Sequence, residues 1–109
     1  MAEIEHHSDF SSLINDARAL GVLRQSLCEA TGGFAAGRFP ADDTQEAAVL
    51  LERFEAGVLA LDRRDILLVE KCVAFALKEL GEDEFQTVTG YDFSVGVQTL
   101  NLLKRALLE

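Results

Sequence analysis

The stretch from Asp62 to Leu80 is apolar around nearly its whole circumference when it is drawn as a helix. Only four charged residues interrupt its middle, which reads ILLVEKCVAFALKEL. A helix that is apolar on every side has to be covered by other elements of the fold. We therefore predict a central helix over about residues 62–80, with further helices packed around it.

The ends of this stretch carry typical helix boundary signals. Asp62 is a favourable N-cap residue, and Asp65 stands three positions later, where a capping box places an acceptor. Gly81 follows the last apolar residue, as expected for a helix C-terminus. The apolar run is also too short, and too often charged, for a membrane-spanning helix. We predict that the chain contains no such helix.

Apolar residues recur at helical spacing elsewhere in the chain, so the segments that pack around the central helix are also predicted to be helices. They extend over about residues 9–30, 42–61 and 92–107, with a short helical turn around 82–91. Ser8 is the expected cap of the first, and Asp42, Asp43 and Thr44 are the expected caps of the second. The predicted fold class is all-α: a small helical bundle of four main helices plus a short helical turn.

The length of 109 residues fits one domain with one hydrophobic core. We expect residues 1–8 to form a disordered tail and residues 9–107 to form a single helical domain. Residues 108–109 resemble the remnant of an affinity tag. Cys28 and Cys72 both fall in helical patterns, and we interpret them as apolar core residues without a disulfide. We place the protein in the cytoplasm.

The charge balance restricts the class of partner. Nineteen acidic residues against ten basic ones give a net charge of −9. Such a field repels the phosphate backbone of nucleic acids, so a protein with a basic surface is the better candidate. A homodimer is also expected, because three covering helices can leave a strip of the apolar central helix uncovered.

Two acidic pairs could hold a metal ion. Glu52 and Glu55 form an ExxE pair, and Asp62 and Asp65 form a DxxD pair. Carboxylates at i and i+3 share one helical face and suit a hard cation. These pairs resemble the ExxE and ExxD pairs that bind magnesium in nucleotide pyrophosphohydrolases of the MazG type. The resemblance departs in its spacing, since only six residues separate the pairs, and the aspartates already serve as helix caps. We predict no enzyme activity, no catalytic residue, no cofactor and no metal site.

The C-terminal segment DEFQTVTGYDFSVGVQTLNLLKRAL resembles a helix-turn-helix, which implies DNA binding. It departs from that pattern where a small residue is usual, because Gln86 stands there. The second helix offers Ser94, Gln98 and Asn101, but it has no basic residue before Lys104. The alternative interpretation is a helical hairpin that closes the bundle.

The loop over about residues 31–41 contains three glycines but lacks the GxxxxGK[ST] pattern of a phosphate-binding loop. Its aromatic residues Phe34 and Phe39 are expected to pack on the end of the bundle, and exposure of one would create an adhesive patch. Together with Tyr91, they are the predicted interaction residues. The function predicted from sequence is an acidic protein–protein interaction or regulatory module. The alternatives are a degenerate DNA-binding regulator and a metal-dependent nucleotide hydrolase.

Overall fold

The computed structural model describes residues 16–32, 39–57 and 61–108, and all regular structure in these ranges is helical. The four helices are α1 (Ala17–Gly32), α2 (Ala41–Glu55), α3 (Arg63–Thr89) and α4 (Phe93–Leu108). The predicted all-α class and the four main helices are confirmed. None of these helices has both the length and the apolar content that crossing a membrane requires.

Helices α1 and α3 form the centre of the bundle. Each of them packs against all the other described helices, whereas α2 and α4 flank the pair and do not contact each other. The interior surface of α3 is buried, as predicted: Leu68, Val69 and Leu77 expose 6%, 0% and 7% of their surfaces. The prediction of a central helix around residues 62–80 is therefore confirmed.

The covering helices leave one strip of the central helix open to water, as the sequence allowed. Leu67 exposes 45% of its surface, and Arg64, Lys71 and Lys78 are exposed on the same side of α3. Because α2 and α4 do not meet across α3, a strip of this helix stays open between them. The sequence periodicity could not show this, since Leu67 belongs to an uninterrupted apolar run.

The N-terminus of α3 has the predicted capping box. The backbone N–H of Asp65 donates to Oδ1 of Asp62 over 2.8 Å, and the backbone N–H of Asp62 donates to Oδ2 of Asp65 over 3.2 Å. These bonds satisfy two backbone donors that a helix start otherwise leaves unpaired.

The C-terminal half of α3 differs from the prediction in its continuity. Gly81 adopts φ 73° and ψ −178°, a conformation open mainly to glycine, so it kinks the helix where an end was expected. The chain then resumes helical geometry, and the predicted short turn over 82–91 becomes the last part of α3. Gly90, with φ 82°, ends the helix in the left-handed conformation, as expected.

The predicted start of the first helix at residue 9 is corrected by Asp16. Its carboxylate accepts from the backbone N–H groups of Arg18 and Ala19 over 2.9 and 3.3 Å, which caps a helix that begins at Ala17. Residues 1–15, with Ser8 and the predicted tail, lie outside the described residues. The same holds for residue 109 at the C-terminus.

The predicted limits of the second helix are also corrected. Its N-cap is Pro40, with no side-chain hydrogen bond at the cap; Thr44 instead donates its hydroxyl to the Pro40 carbonyl over 3.0 Å. The predicted caps Asp42 and Asp43 lie within the first turn, where acidic residues suit the helix dipole. The helix ends at Glu55 rather than near residue 61, because Gly57 takes φ 84° directly afterwards.

Two glycines allow close approach between elements. A Cβ atom added to Gly21 of α1 would lie 2.0 Å from the hydroxyl of Tyr91, and one added to Gly96 of α4 would lie 2.6 Å from the ring of Phe85. Each of these positions therefore requires a residue without a side chain for the contact to be made. Tyr91 covers α1 at the turn before α4.

Candidate functional site

The open strip of α3 borders a groove between α2 and α3, which we call the α2–α3 groove. We define it by Asp43, Glu46 and Val49 on α2 and by Arg64, Leu67 and Lys71 on α3. Depressions of about 220 and 260 Å³ follow each other along it and share Glu46, Arg64 and Leu68. The groove therefore forms one continuous surface.

Two large apolar side chains are exposed in this groove. Val49 exposes 56% of its surface and Leu67 exposes 45%. One lies on each wall, so water reaches apolar surface on both sides. Single exposed apolar residues are ordinary on protein surfaces, whereas neighbouring ones rimmed by charges are typical of contact surfaces.

Ion pairs cross the groove from the acidic α2 wall to the basic α3 wall. Arg64 Nη2 lies 2.6 Å from Glu46 Oε2, and Lys71 Nζ lies 3.7 Å from Asp43 Oδ2. The Arg64 side chain is 79% exposed, and such exposed pairs contribute little to stability. At this level the α2 wall is acidic and the α3 wall is basic. Beyond Val49 the order reverses, because Arg53 of α2 lies 3.4 Å from Asp65 at the start of α3.

The groove opens at one end onto an aromatic contact. Phe39 and Phe75 pack with their ring centroids 5.0 Å apart, and both line a depression of about 430 Å³ together with Lys71 and Lys78. On the other side of the Leu67 side chain, Arg63 donates a hydrogen bond to the backbone carbonyl of Leu107, which links α3 to the end of α4. Leu67 thus lies between the α2 side and the α4 side of the open strip.

Of the three predicted interaction residues, the structure describes Phe39 and Tyr91. Phe39 is 7% exposed, so it belongs to the core and packs on the bundle end. Tyr91 is half-buried over Gly21, at the turn before α4. Phe34 lies outside the described residues. The interaction role of these three residues stays a prediction.

Sequence reasoning missed Leu67 because it belongs to an uninterrupted apolar run. It missed Val49 although the residues three and four positions away on either side of it are polar, which indicates an exposed face. A signal existed in the basic residues of α3, since Arg64, Lys71 and Lys78 are separated by seven residues each. This spacing keeps side chains on one face of a helix. A basic row on a helix that is otherwise apolar indicates which side of that helix meets solvent.

The acidic pairs that resemble a magnesium site serve other roles in the fold. Glu55 forms an ion pair with Arg24 over 3.0 Å, and Asp62 and Asp65 form the capping box of α3. Asp65 also lies 3.4 Å from Arg53. Within the described ranges, no three His, Cys, Asp or Glu side chains converge in a way that could hold a metal ion.

The C-terminal helical hairpin has the outline of a helix-turn-helix but not its charge. Ser94, Gln98 and Asn101 are exposed on α4, and none of them can neutralise a phosphate. The preceding part of α3 exposes Glu82, Asp83 and Glu84 next to this hairpin. Phosphate contacts supply most of the affinity for DNA, so this acidic surface opposes binding.

Both cysteines are free thiols. Burial first, and the nearby carboxylate of Asp43 second, raise the pKa of Cys72 to about 12 against the opposing charge of Lys71. Burial also raises the pKa of Cys28, despite the opposing charge of Arg24. Because the thiolate is the reactive form, these thiols are unsuited to nucleophilic chemistry at neutral pH.

In comparisons with known proteins, no family model matches this chain, and neither does any curated protein or solved structure.

Proposed function

We propose that this protein is a protein–protein interaction module that docks its partner in the α2–α3 groove. The observation that carries the proposal is the joint exposure of Val49 and Leu67 on the two walls of the groove, at 56% and 45%. Desolvation of apolar side chains inside a charged rim is the usual anatomy of a protein interface.

The charges of this protein act on its partner both at long range and at contact. The net charge of −9 favours a partner with a basic surface, because long-range attraction raises the rate of encounter. Inside the α2–α3 groove the charges are mixed, so the patch that docks has to present both signs. We further propose that the protein acts in the cytoplasm and has no catalytic activity of its own.

The test compares two variants that place a glutamate at sites of similar exposure. Leu67→Glu changes the α2–α3 groove, whereas Val97→Glu changes an α4 residue that is 37% exposed. Each variant and the wild type serve as bait to isolate binding proteins from the native cells. We expect the Leu67→Glu bait to lose a protein that the wild type and the Val97→Glu bait both retain.

Equal retention by both variants would contradict the docking site, provided that circular dichroism shows unchanged helical content. A magnesium-dependent nucleotide hydrolysis by the purified protein, lost in Glu52→Gln, would instead support the metal-dependent alternative. A salt-sensitive shift of duplex DNA would support the DNA-binding alternative.

A further inference from the structure

We infer that the occupant of the α2–α3 groove is a second copy of this chain, related by a two-fold axis parallel to the groove. This inference deepens the proposed function, since it adopts the same docking surface and names the partner. It rests on the arrangement of charges across the groove, which is complementary to itself in one orientation.

The charged walls make the groove self-complementary. The α2 wall carries Asp43 and Glu46, and the α3 wall carries Arg64 and Lys71. When a copy is rotated by half a turn about an axis parallel to the groove and lying in the contact plane, its α2 comes to lie over α3 of the first copy. The acids of each copy then lie over the bases of the other, at the same level along the groove.

The alternative two-fold axis in the contact plane, perpendicular to the groove, is disfavoured by the same charges. It would place α2 over α2 and α3 over α3. Glu46 would then approach acidic residues, and Arg64 would approach Lys71 of the second copy. Like charges brought together in an interface repel each other, and this repulsion acts against the wrong pairing.

The apolar residues favour the same arrangement. Val49 and Leu67 stand on opposite walls, so the axis parallel to the groove turns the Val49 wall of one copy towards the Leu67 wall of the other. Each wall thereby removes apolar surface from water beside the ion pairs that cross the groove. An isologous interface requires this kind of pairing, in which one patch supplies both halves of the contact.

The net charge does not prevent this association at ordinary ionic strength. Two copies with a charge of −9 each repel at long range. At about 0.15 M salt the Debye length is about 8 Å, which screens the net repulsion but leaves the close contacts across the interface. The open strip of α3 that was expected from the sequence to favour a homodimer is the strip that this arrangement covers.

The test is a charge exchange followed by mixing. The chain has a mass of 11.9 kDa, and we expect light scattering to show twice this mass for the wild type at about 0.15 M salt. Glu46→Arg alone and Arg64→Glu alone each place like charges across the interface, so each should run as a monomer. An equimolar mixture should recover the dimer, because the heterodimer restores an opposite-charge contact at both places.

The mixing step separates contacts between chains from contacts within a chain. Glu46 and Arg64 also pair within one chain, and that pair is broken in both variants whether or not they are mixed. Recovery on mixing can therefore only come from the interface between chains. A wild type of chain mass, dimers formed by each variant alone, or a mixture that stays monomeric would each overturn the inference.

The same variants distinguish this inference from the proposed function. Val97→Glu should remain dimeric, and Leu67→Glu should become monomeric. If the wild type is a monomer while Leu67→Glu still loses a captured protein, the inference of a second copy fails and the docking site stands. If both baits retain every captured protein other than native copies of this chain, and the charge exchange behaves as expected, the groove serves the dimer and the proposed outside partner is refuted.

Discussion

Replacing Gly96 by alanine tests the packing between α3 and α4 at its tightest point. A Cβ atom at this position would lie 2.6 Å from Cζ of Phe85 and 2.8 Å from Cδ2 of Leu77. Real Cβ atoms do not approach carbon atoms this closely, so a neighbour has to move. The Phe85 ring is fully buried and packs edge-on against Phe93, with centroids 5.9 Å apart, so it has no free space to enter.

Two opposing contributions set the size of the stability change that Gly96→Ala causes. Alanine favours a helix over glycine by about 1 kcal/mol. An extra methyl group in a well-packed core costs about 1–3 kcal/mol through displaced side chains. Because the displaced group at Gly96 is the fully buried Phe85 ring, we take the upper part of that range. We therefore expect Gly96→Ala to lower the free energy of unfolding by about 1–2 kcal/mol.

The assay is urea unfolding monitored by circular dichroism, with the m-value as a check that the two-state description holds. Gly21→Ala is the matched control, because the atom it meets is the end of the Tyr91 side chain, which is half-buried and can turn towards solvent. That variant should change stability by less than about half the Gly96→Ala effect. Phe85→Leu should partly relieve Gly96→Ala in a double-mutant cycle. A Gly96→Ala protein as stable as the wild type, with an unchanged m-value, would refute the packing argument.

Three further predictions address single groups. Ser26 is fully buried, and its hydroxyl has no hydrogen-bond partner among the residues that the structure describes. Ser26→Ala should therefore raise the free energy of unfolding by up to about 1 kcal/mol in urea titrations. Thr99→Val should not, because it removes a hydroxyl that donates to the Val95 carbonyl over 2.8 Å. Asp62→Ala should cost about 1 kcal/mol in the same assay and Asp62→Asn clearly less, since only alanine removes the cap; equal losses would contradict the capping role. Burial raises the pKa of the Cys72 thiol from 9.0 to about 12. Between these two pH values the unfolded chain releases the thiol proton while the folded protein keeps it. The free energy of unfolding should therefore be unaffected by this group below pH 9 and fall by about 1.4 kcal/mol per pH unit up to about pH 12. Unfolding measured across that range should show a shallower decline in Cys72→Ala, and parallel curves would contradict the assignment.

The fold was largely predictable because its strongest signals are local. The capping box at Asp62 depends on residues three positions apart, and Gly90 marks a helix end through its own conformation. The end of α2 was missed because its apolar pattern continues past Gly57 to Leu61, which is buried but lies outside the helix. Burial follows tertiary contact, and a buried residue just beyond a helix carries the same pattern as one within it.

The candidate site was not predictable in the same way, because it depends on which helices fail to meet. Leu67 lies in the same uninterrupted apolar run as the core residues Leu68 and Val69, whereas Val49 has polar residues three and four positions away on both sides. Their exposure results from the separation of α2 and α4 across α3. No short-range pattern encodes a missing contact between two elements that lie far apart in the chain. The burial of Phe39 agrees with its predicted packing on the end of the bundle.

Net charge and local charge lead to different conclusions about partners. The net charge of −9 describes the field that a distant molecule meets, and it favours a basic one. In the α2–α3 groove, the acidic residues Asp43 and Glu46 face the basic residues Arg64 and Lys71, and the charges of these four side chains balance. A basic partner would be attracted to the protein as a whole but would gain no net attraction within the groove. A surface with one acidic and one basic wall, such as a second copy of the groove itself, matches it at contact. The total charge therefore affects the rate at which a partner meets the protein, whereas the order of charges across the groove determines which partner stays bound.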